Sequence, residues 1–150
     1  MWSGGLIGPY CFEENVDGPS YLHMLETFLI PNLTRHIRLD QVYFQQHGAP
    51  AHFSQQARYF LEATFPDRVI GRGCSNQWPP RSRDLTPMDF FLWGYIKDQV
   101  YKQKYTTLDQ LCKRIRRAMR SISSDLCIRV CESVGRPLAE CCDRAGGQVD

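Results

Sequence analysis

The sequence contains no apolar run near the ~20 residues of a membrane span, so no spanning helix is expected. Its opening, MWSGGLIGPYCF, lacks the basic region and long apolar core of a signal peptide, and a secreted destination is not expected. Charge of one sign is scarce: the net charge is +2 and the pI about 8.2, too mild to indicate a nucleic-acid partner on their own. No Cys-x-x-Cys occurs among the seven cysteines, at 11, 74, 112, 127, 131, 141 and 142. Cys127 and Cys131 lie one helical turn apart, but none of the four histidines is near them, so buried thiols are expected rather than a zinc half-site. The number is odd and no secretory signal accompanies it, so a disulfide framework is not expected either. No internal repeat is visible.

What is present fits one ordinary domain: 150 residues, 43% hydrophobic and 23% charged, enough for a single core. Leu6 to Phe12 is rich in strand formers and ends at Glu13-Glu14. A turn at Val16-Asp17-Gly18-Pro19 precedes Tyr21, Leu22, Leu25, Phe28 and Leu29 at helical spacing, up to Pro31. Residues 41–46 and Arg68-Val69-Ile70-Gly71 read as short strands. Between them, Ala57, Phe60, Leu61 and Phe65 mark a helix closed by Pro66. Gly73 to Pro87 is loop-like, with prolines at 79, 80 and 87. Met88 to Tyr101 reads as an apolar helix. Thr107 and Gln110 fit a capping box opening the next, and a last helix from Ser124 is expected to break near Gly135 and Pro137. Strands alternate with helices, which makes the class α/β.

Three features carry chemistry. The first is FQQHGAPAHFS, residues 44–54, where a strand end delivers His47 to a turn before a helix. Taken alone, His47 is a metal ligand, a base, or a bystander where another residue belongs. The second is WPPRSRDLTPMDFFLWGYIKDQVY, residues 78–101. Here Asp84 is expected to hold its loop through side-chain to backbone bonds, and Asp89 opens a helix, where a carboxylate is favoured by the dipole. Trp78 is read as a core or loop anchor, with base stacking as the alternative. The third is the helix carrying Lys113, Arg114, Arg116, Arg117 and Arg120, either a solvated face or a phosphate-binding one. No aromatic residue interleaves with these cations, which argues against base stacking there.

The first two motifs resemble the catalytic core of mariner/Tc1-type transposases of the DDE superfamily, whose corresponding patterns read Q-D-G-A-P-x-H and W-P-x-x-S-P-D-L-x-P-x-D/E. The stretches GLIGPYCFEENVDGPSYLHML, FPDRVIGRG and TTLDQLCKRI also look like family sequence, so the likeness runs over nearly the whole chain. It implies an RNase H-like fold, a mixed sheet flanked by helices. In that fold the first strand, bearing the first catalytic aspartate, would precede Met1, as would helix-turn-helix modules. It implies residues 1–105 as a partial catalytic domain and 106–150 as its helical extension. It also implies Mg²⁺ or Mn²⁺ in the intact family, held by three carboxylates that clamp attacking and leaving oxygens.

Carried over by motif, His47 stands where the second aspartate belongs and Asp89 where the third does. Gly48, Pro50, His52, Trp78, Asp84 and Pro87 match structural positions, and Arg83 departs from the family's proline beside Arg81. Imidazole offers neutral nitrogen where Mg²⁺ wants charged oxygen. The expectation is a degenerate transposase fragment, nuclear, unable to cleave, with weak nonspecific DNA affinity through Arg81, Arg83 and the 113–120 helix. Two alternatives stay open: a domesticated interaction module without a DNA role, and a nuclease completed by a partner chain or by another acid such as Asp40. A homodimer or a transposase chain is the expected protein partner.

Overall fold

Helix α1 (Gly18–Met24) starts where Asp17 and Ser20 satisfy each other's backbone. Ser20 N–H donates to the Asp17 carboxylate at 2.8 Å, and Asp17 N–H donates to Ser20 Oγ at 3.0 Å. These bonds hold the Asp17 carboxyl below its ordinary pKa. Pro19 sits in the first turn, where a missing N–H costs nothing. The helix continues through a π-helical stretch, Leu25–Leu29, into α2 (Ile30–Leu33), with Ile30 N–H reaching the Leu25 carbonyl. The wider turn lies just ahead of Pro31, whose ring nitrogen cannot donate.

The computed structural model describes residues 1–77, 86–102 and 104–134. Trp78, Arg81, Arg83 and Asp84, and the break expected near Gly135 and Pro137, lie outside the described residues. Two compact units form, one from Tyr10–Pro80 and one from Met1–Pro9 with Arg81–Asp150.

In the first unit, β1 (Phe44–Gln45) is followed by α3 (Gln55–Thr64), β2 (Val69–Gly71) and β3 (Asn76–Gln77). The sheet order is β1-β2-β3, and Phe44 pairs with Val69 and Ile70 with Asn76, both in parallel. Where a mixed sheet is expected, the pairings among the described residues are therefore parallel. β1 and β2 are parallel because α3 carries the chain back between them. Strand β3 falls inside the stretch expected to be loop. Its first partner is reached through a tight turn in which Gly73 takes a φ of +69°, a conformation open to glycine. Residues 6–12 form no strand, against expectation: Pro9 cannot donate to a ladder, and Gly8 sits at a φ of +113°.

Helix α3 is capped by Ser54, whose Oγ accepts the Ala57 N–H at 3.3 Å. It buries Ala57 and Leu61 completely, ahead of Phe65 and Val69. It packs on α1 at close quarters. A Cβ added to Gly18 would lie 2.6 Å from Ser54 Cβ, so no larger residue fits without parting the two helices.

In the second unit, a π-helical stretch, Met88–Leu92, runs into α4 (Trp93–Val100), and α5 (Leu108–Arg120) and α6 (Ser124–Ser133) follow. Leu92, Ile96, Val100 and Ala118 form the core, with Leu6, Leu111, Ile115 and Met119 against it. Thr107 caps α5 as expected, accepting the Gln110 N–H at 3.2 Å. The return bond from Gln110 reaches Thr106 N–H, one residue earlier than a strict capping box. Cys11, in the first unit, and Cys112 are each disulfide-bonded, although no disulfide framework is expected from the sequence; cysteine spacing does not report which side chains meet in space. Cys74, Cys127 and Cys131 are free, and burial pushes the Cys127 thiol up, as for a small apolar core residue.

Candidate functional site

Because β1 and β2 are parallel, their carboxyl ends open at one edge of the sheet, the side on which open α/β sheets take ligands. Gln46 N–H extends the pairing to the Ile70 carbonyl at 2.9 Å. The chain then turns through His47, Gly48, Ala49 and Pro50, and Phe53 N–H closes the turn on the Ala49 and Pro50 carbonyls at 3.1 Å each. Gly48, Pro50 and His52 thus sit together in one turn with His47.

His47 is exposed, and its Nδ1 accepts the Ala49 N–H at 3.2 Å. A ring nitrogen that accepts carries no proton, so the neutral ring bears its hydrogen on Nε2. An aspartate here would accept the same N–H with one oxygen, as in an Asx turn, and leave the other free. The imidazole reproduces the turn contact but offers a donor, Nε2–H, in place of the second carboxylate oxygen. That is why the turn survives with histidine in it.

His52 has the opposite tautomer. Its Nδ1 donates to the His47 carbonyl at 3.1 Å, leaving the Nε2 lone pair available. Its ring stacks on His47 at 4.6 Å and on Tyr21 at 4.4 Å between centroids. Burial holds the His52 imidazole below its ordinary pKa, and the nearby His47 adds to this, while the bond to the His47 carbonyl opposes it.

Beneath the turn is a buried pair that the motif does not announce. Tyr21 Oη donates to Gln46 Oε1 at 2.9 Å, and Gln46 Nε2 donates to the His52 carbonyl at 3.3 Å. Burial pushes the Tyr21 hydroxyl well above its ordinary pKa, so it stays a donor. Sequence reasoning passes over Gln46 because a glutamine beside a strand end reads as surface. Its signal is that it occupies an inward position, alternating with Gln45.

Arg72 also belongs to this edge and was not anticipated. It follows β2 as His47 follows Gln46, and a Cβ on Gly48 would lie 3.4 Å from Arg72 Cδ. The Arg72 and Arg58 guanidiniums sit 4.6 Å and 4.7 Å from the Phe53 ring centroid. Its sequence signal is a cation directly after the second of two parallel strands.

Asp89 lies in the other unit, half-buried in the first turn of the π-helical stretch, where its N–H donates to the Thr86 carbonyl at 2.8 Å. Its carboxylate has no hydrogen-bond or ion-pair partner among the described residues. Pro87 precedes it as the residue before the helix. π-turns of this kind are frequent at functional positions.

The basic helix divides in two. Lys113, Arg116, Arg117 and Arg120 recur at helical spacing and are exposed on one face. Arg114 is half-buried and donates to the Val100 carbonyl at 3.2 Å and the Lys104 carbonyl at 2.9 Å, closing the end of α4. Arg114→Ala is therefore expected to lower stability by about 1.5–3 kcal/mol, whereas Lys113→Ala stays within about 0.5 kcal/mol. Urea melts of the two variants separate these outcomes.

A pair of hard divalent cations needs several carboxylate oxygens in one place. Among the described residues no three His, Cys, Asp or Glu side chains gather into such a group. His47 carries its ring hydrogen on Nε2, and the Asp40 carboxylate is held by Arg38 at 2.7 and 3.2 Å, a bond that also draws its pKa down. Imidazole nitrogen at position 47 is a poor match to a hard cation that prefers oxygen.

A small parallel sheet flanked by helices, with motif residues at its carboxyl edge, is an RNase H-like arrangement. The solved structures make the likeness particular. The Mos1 transposase catalytic domain with raltegravir and Mn matches at a TM-score of 0.81 over 99% of this chain and 74% of that one, at 19% identity. The catalytic domain of the Mos1 mariner transposase matches at 0.78 and 17% identity, covering 72% of its chain. A pre-cleavage Mos1 transpososome matches at 0.81, where this chain spans 44% of the longer one. No family model and no curated protein matches the sequence. Among the described residues no helix is long and apolar enough to cross a membrane.

Proposed function

We propose that the chain is a mariner-like, transposase-derived domain that binds DNA through its phosphates and does not cleave it. The observation that carries this reading is His47 at the β1 edge: within a fold shared with a transposase catalytic domain, it presents an N–H where the family's motif has a carboxylate. The Mos1 structures with Mn or Mg and the paired-end complex support metal and DNA use by that protein. For this chain we carry over the DNA and not the cation pair. Asp89 is then the motif's third acid, retained where the second is replaced by His47. Residues 106–150 act as a helical extension of the same domain, with Lys113, Arg116, Arg117 and Arg120 as the phosphate-facing row. Arg81 and Arg83 are further candidates for phosphate contact. A DNA substrate implies a nuclear location, and a second transposase-like chain is the expected protein partner.

Supercoiled plasmid incubated with the purified chain and Mg²⁺ or Mn²⁺ is expected to remain intact; nicking that disappears in Asp89→Ala overturns the non-cleaving reading. Duplex binding measured by anisotropy is expected to weaken with salt. In Arg116→Ala/Arg117→Ala the logarithmic salt slope is expected to fall by about 2, near 0.9 per lost phosphate contact. An unchanged isotherm would remove that helix from the DNA surface.

A further inference from the structure

Two guanidiniums gather at the β1–β2 edge. Arg58 and Arg72 share the Phe53 ring, and neither is paired with a carboxylate among the described residues. Arg58 is fixed: its Nη1 donates to the Gly73 carbonyl at 2.8 Å, and its Nε is buried without a hydrogen-bond partner. Glu62, on the same helix α3, is engaged by the Ser75 N–H at 2.6 Å. Arg72 is exposed, its guanidinium lies over the Phe53 ring, and its side chain runs close enough to Gly48 that an added Cβ there would sit 3.4 Å from its Cδ. His47, the residue before Gly48, is exposed and carries its ring hydrogen on Nε2.

We propose that this edge is a metal-free phosphodiester site, in which Arg72 and the Nε2–H of His47 contact the phosphate oxygens of a DNA strand directly. The proposal rests on the DNA-binding reading above and gives it a second contact, separate from α5. A carboxylate at position 47 would repel a phosphate unless a cation lay between them. A donor at the same position reverses that requirement: it cannot hold the cation, but it bonds the phosphate oxygen the cation would have held. The arginine fork matches two such oxygens, and Phe53 keeps the guanidinium plane in place, lowering the freedom lost on binding.

The test is anisotropy of a labelled duplex with the full chain across a salt series, in EDTA and in Mg²⁺ at matched ionic strength. Wild-type affinity is expected to be the same in both. Arg72→Gln is expected to bind about three- to tenfold more weakly, with a salt slope smaller by about 1. Arg72→Lys recovers part of the loss, and circular dichroism of each variant confirms that it is folded. His47→Asp, in EDTA, weakens binding and regains some of it in Mg²⁺. If Arg72→Gln and His47→Asp bind as wild type while Arg116→Ala/Arg117→Ala binds weakly, the edge proposal fails and the DNA reading stands. If wild type binds no duplex even at low salt, both fail. Binding by wild type that requires Mg²⁺ overturns the metal-free contact alone.

Discussion

Phe65→Ala is expected to destabilise the Tyr10–Pro80 unit by about 3–5 kcal/mol, the usual range for deleting a fully buried aromatic ring. Phe65 has no exposed surface, and its ring stacks on Phe44 of β1 at 5.3 Å between centroids and 25° between planes. Its backbone also ties α3 to β2: its N–H donates to the Leu61 carbonyl at 2.8 Å, and its carbonyl accepts from Arg68 N–H at 3.0 Å. Truncation therefore leaves a cavity between helix and sheet that stiff neighbours cannot fill. Against a total stability of roughly 5–15 kcal/mol, this is a large share. Denaturant melts supply the magnitude, and hydrogen exchange should show the loss in α3 and β2. A penalty below about 1 kcal/mol would mean that this unit does not organise on that ring.

Gln46→Leu is expected to cost about 2–4 kcal/mol, although it adds apolar surface at a buried position. It leaves the Tyr21 hydroxyl and the His52 carbonyl without the partners they have at 2.9 and 3.3 Å, and a buried unmet group costs roughly 1–3 kcal/mol. Adding Tyr21→Phe removes one of the two stranded groups. The double variant is accordingly expected to be more stable than Gln46→Leu alone by about 1–2 kcal/mol. A double-mutant cycle in urea reads this coupling directly. Strictly additive penalties would show that the hydroxyl and the amide do not depend on each other. The same cycle followed by the His52 imidazole resonances reports whether the pair sets the floor on which the histidines stack.

Much of this was legible from residue pattern. Helical spacing located α1, α3, α4, α5 and α6, because apolar residues on one face and a capping side chain are local properties. The turn after β1 was legible for the same reason: glycine, proline and histidine have local conformational consequences. What sequence alone hid is what depends on distant residues. Residues 6–12 carry strand formers, yet a strand exists only where a partner's ladder can be met, and Pro9 interrupts it. β3 is short and polar, and pairing with β2 rather than composition makes it a strand. Arg114 and Arg116 look alike in a run of cations. Only the fold separates the one turned onto the Val100 and Lys104 carbonyls from the one facing water. Arg72 is an ordinary cation until β2 is laid parallel to β1, which brings it beside Gly48.

The two π-helical stretches have a consequence for the spacing of residues along the chain. Met88 bonds to Trp93 and Leu25 to Ile30, five residues apart instead of four. Each stretch therefore holds one residue more than a regular helix of the same rise, and an α-helix turns about 100° per residue. Deleting one residue within Met88–Leu92 would yield an unbroken α-helix, acceptable to the backbone. It would also put the helix out of phase with itself: with Ile96 and Val100 kept on the core, Asp89 would swing through about a quarter-turn. The orientation of that carboxylate is set by a reading frame of turns, and the extra residue is what keeps the frame.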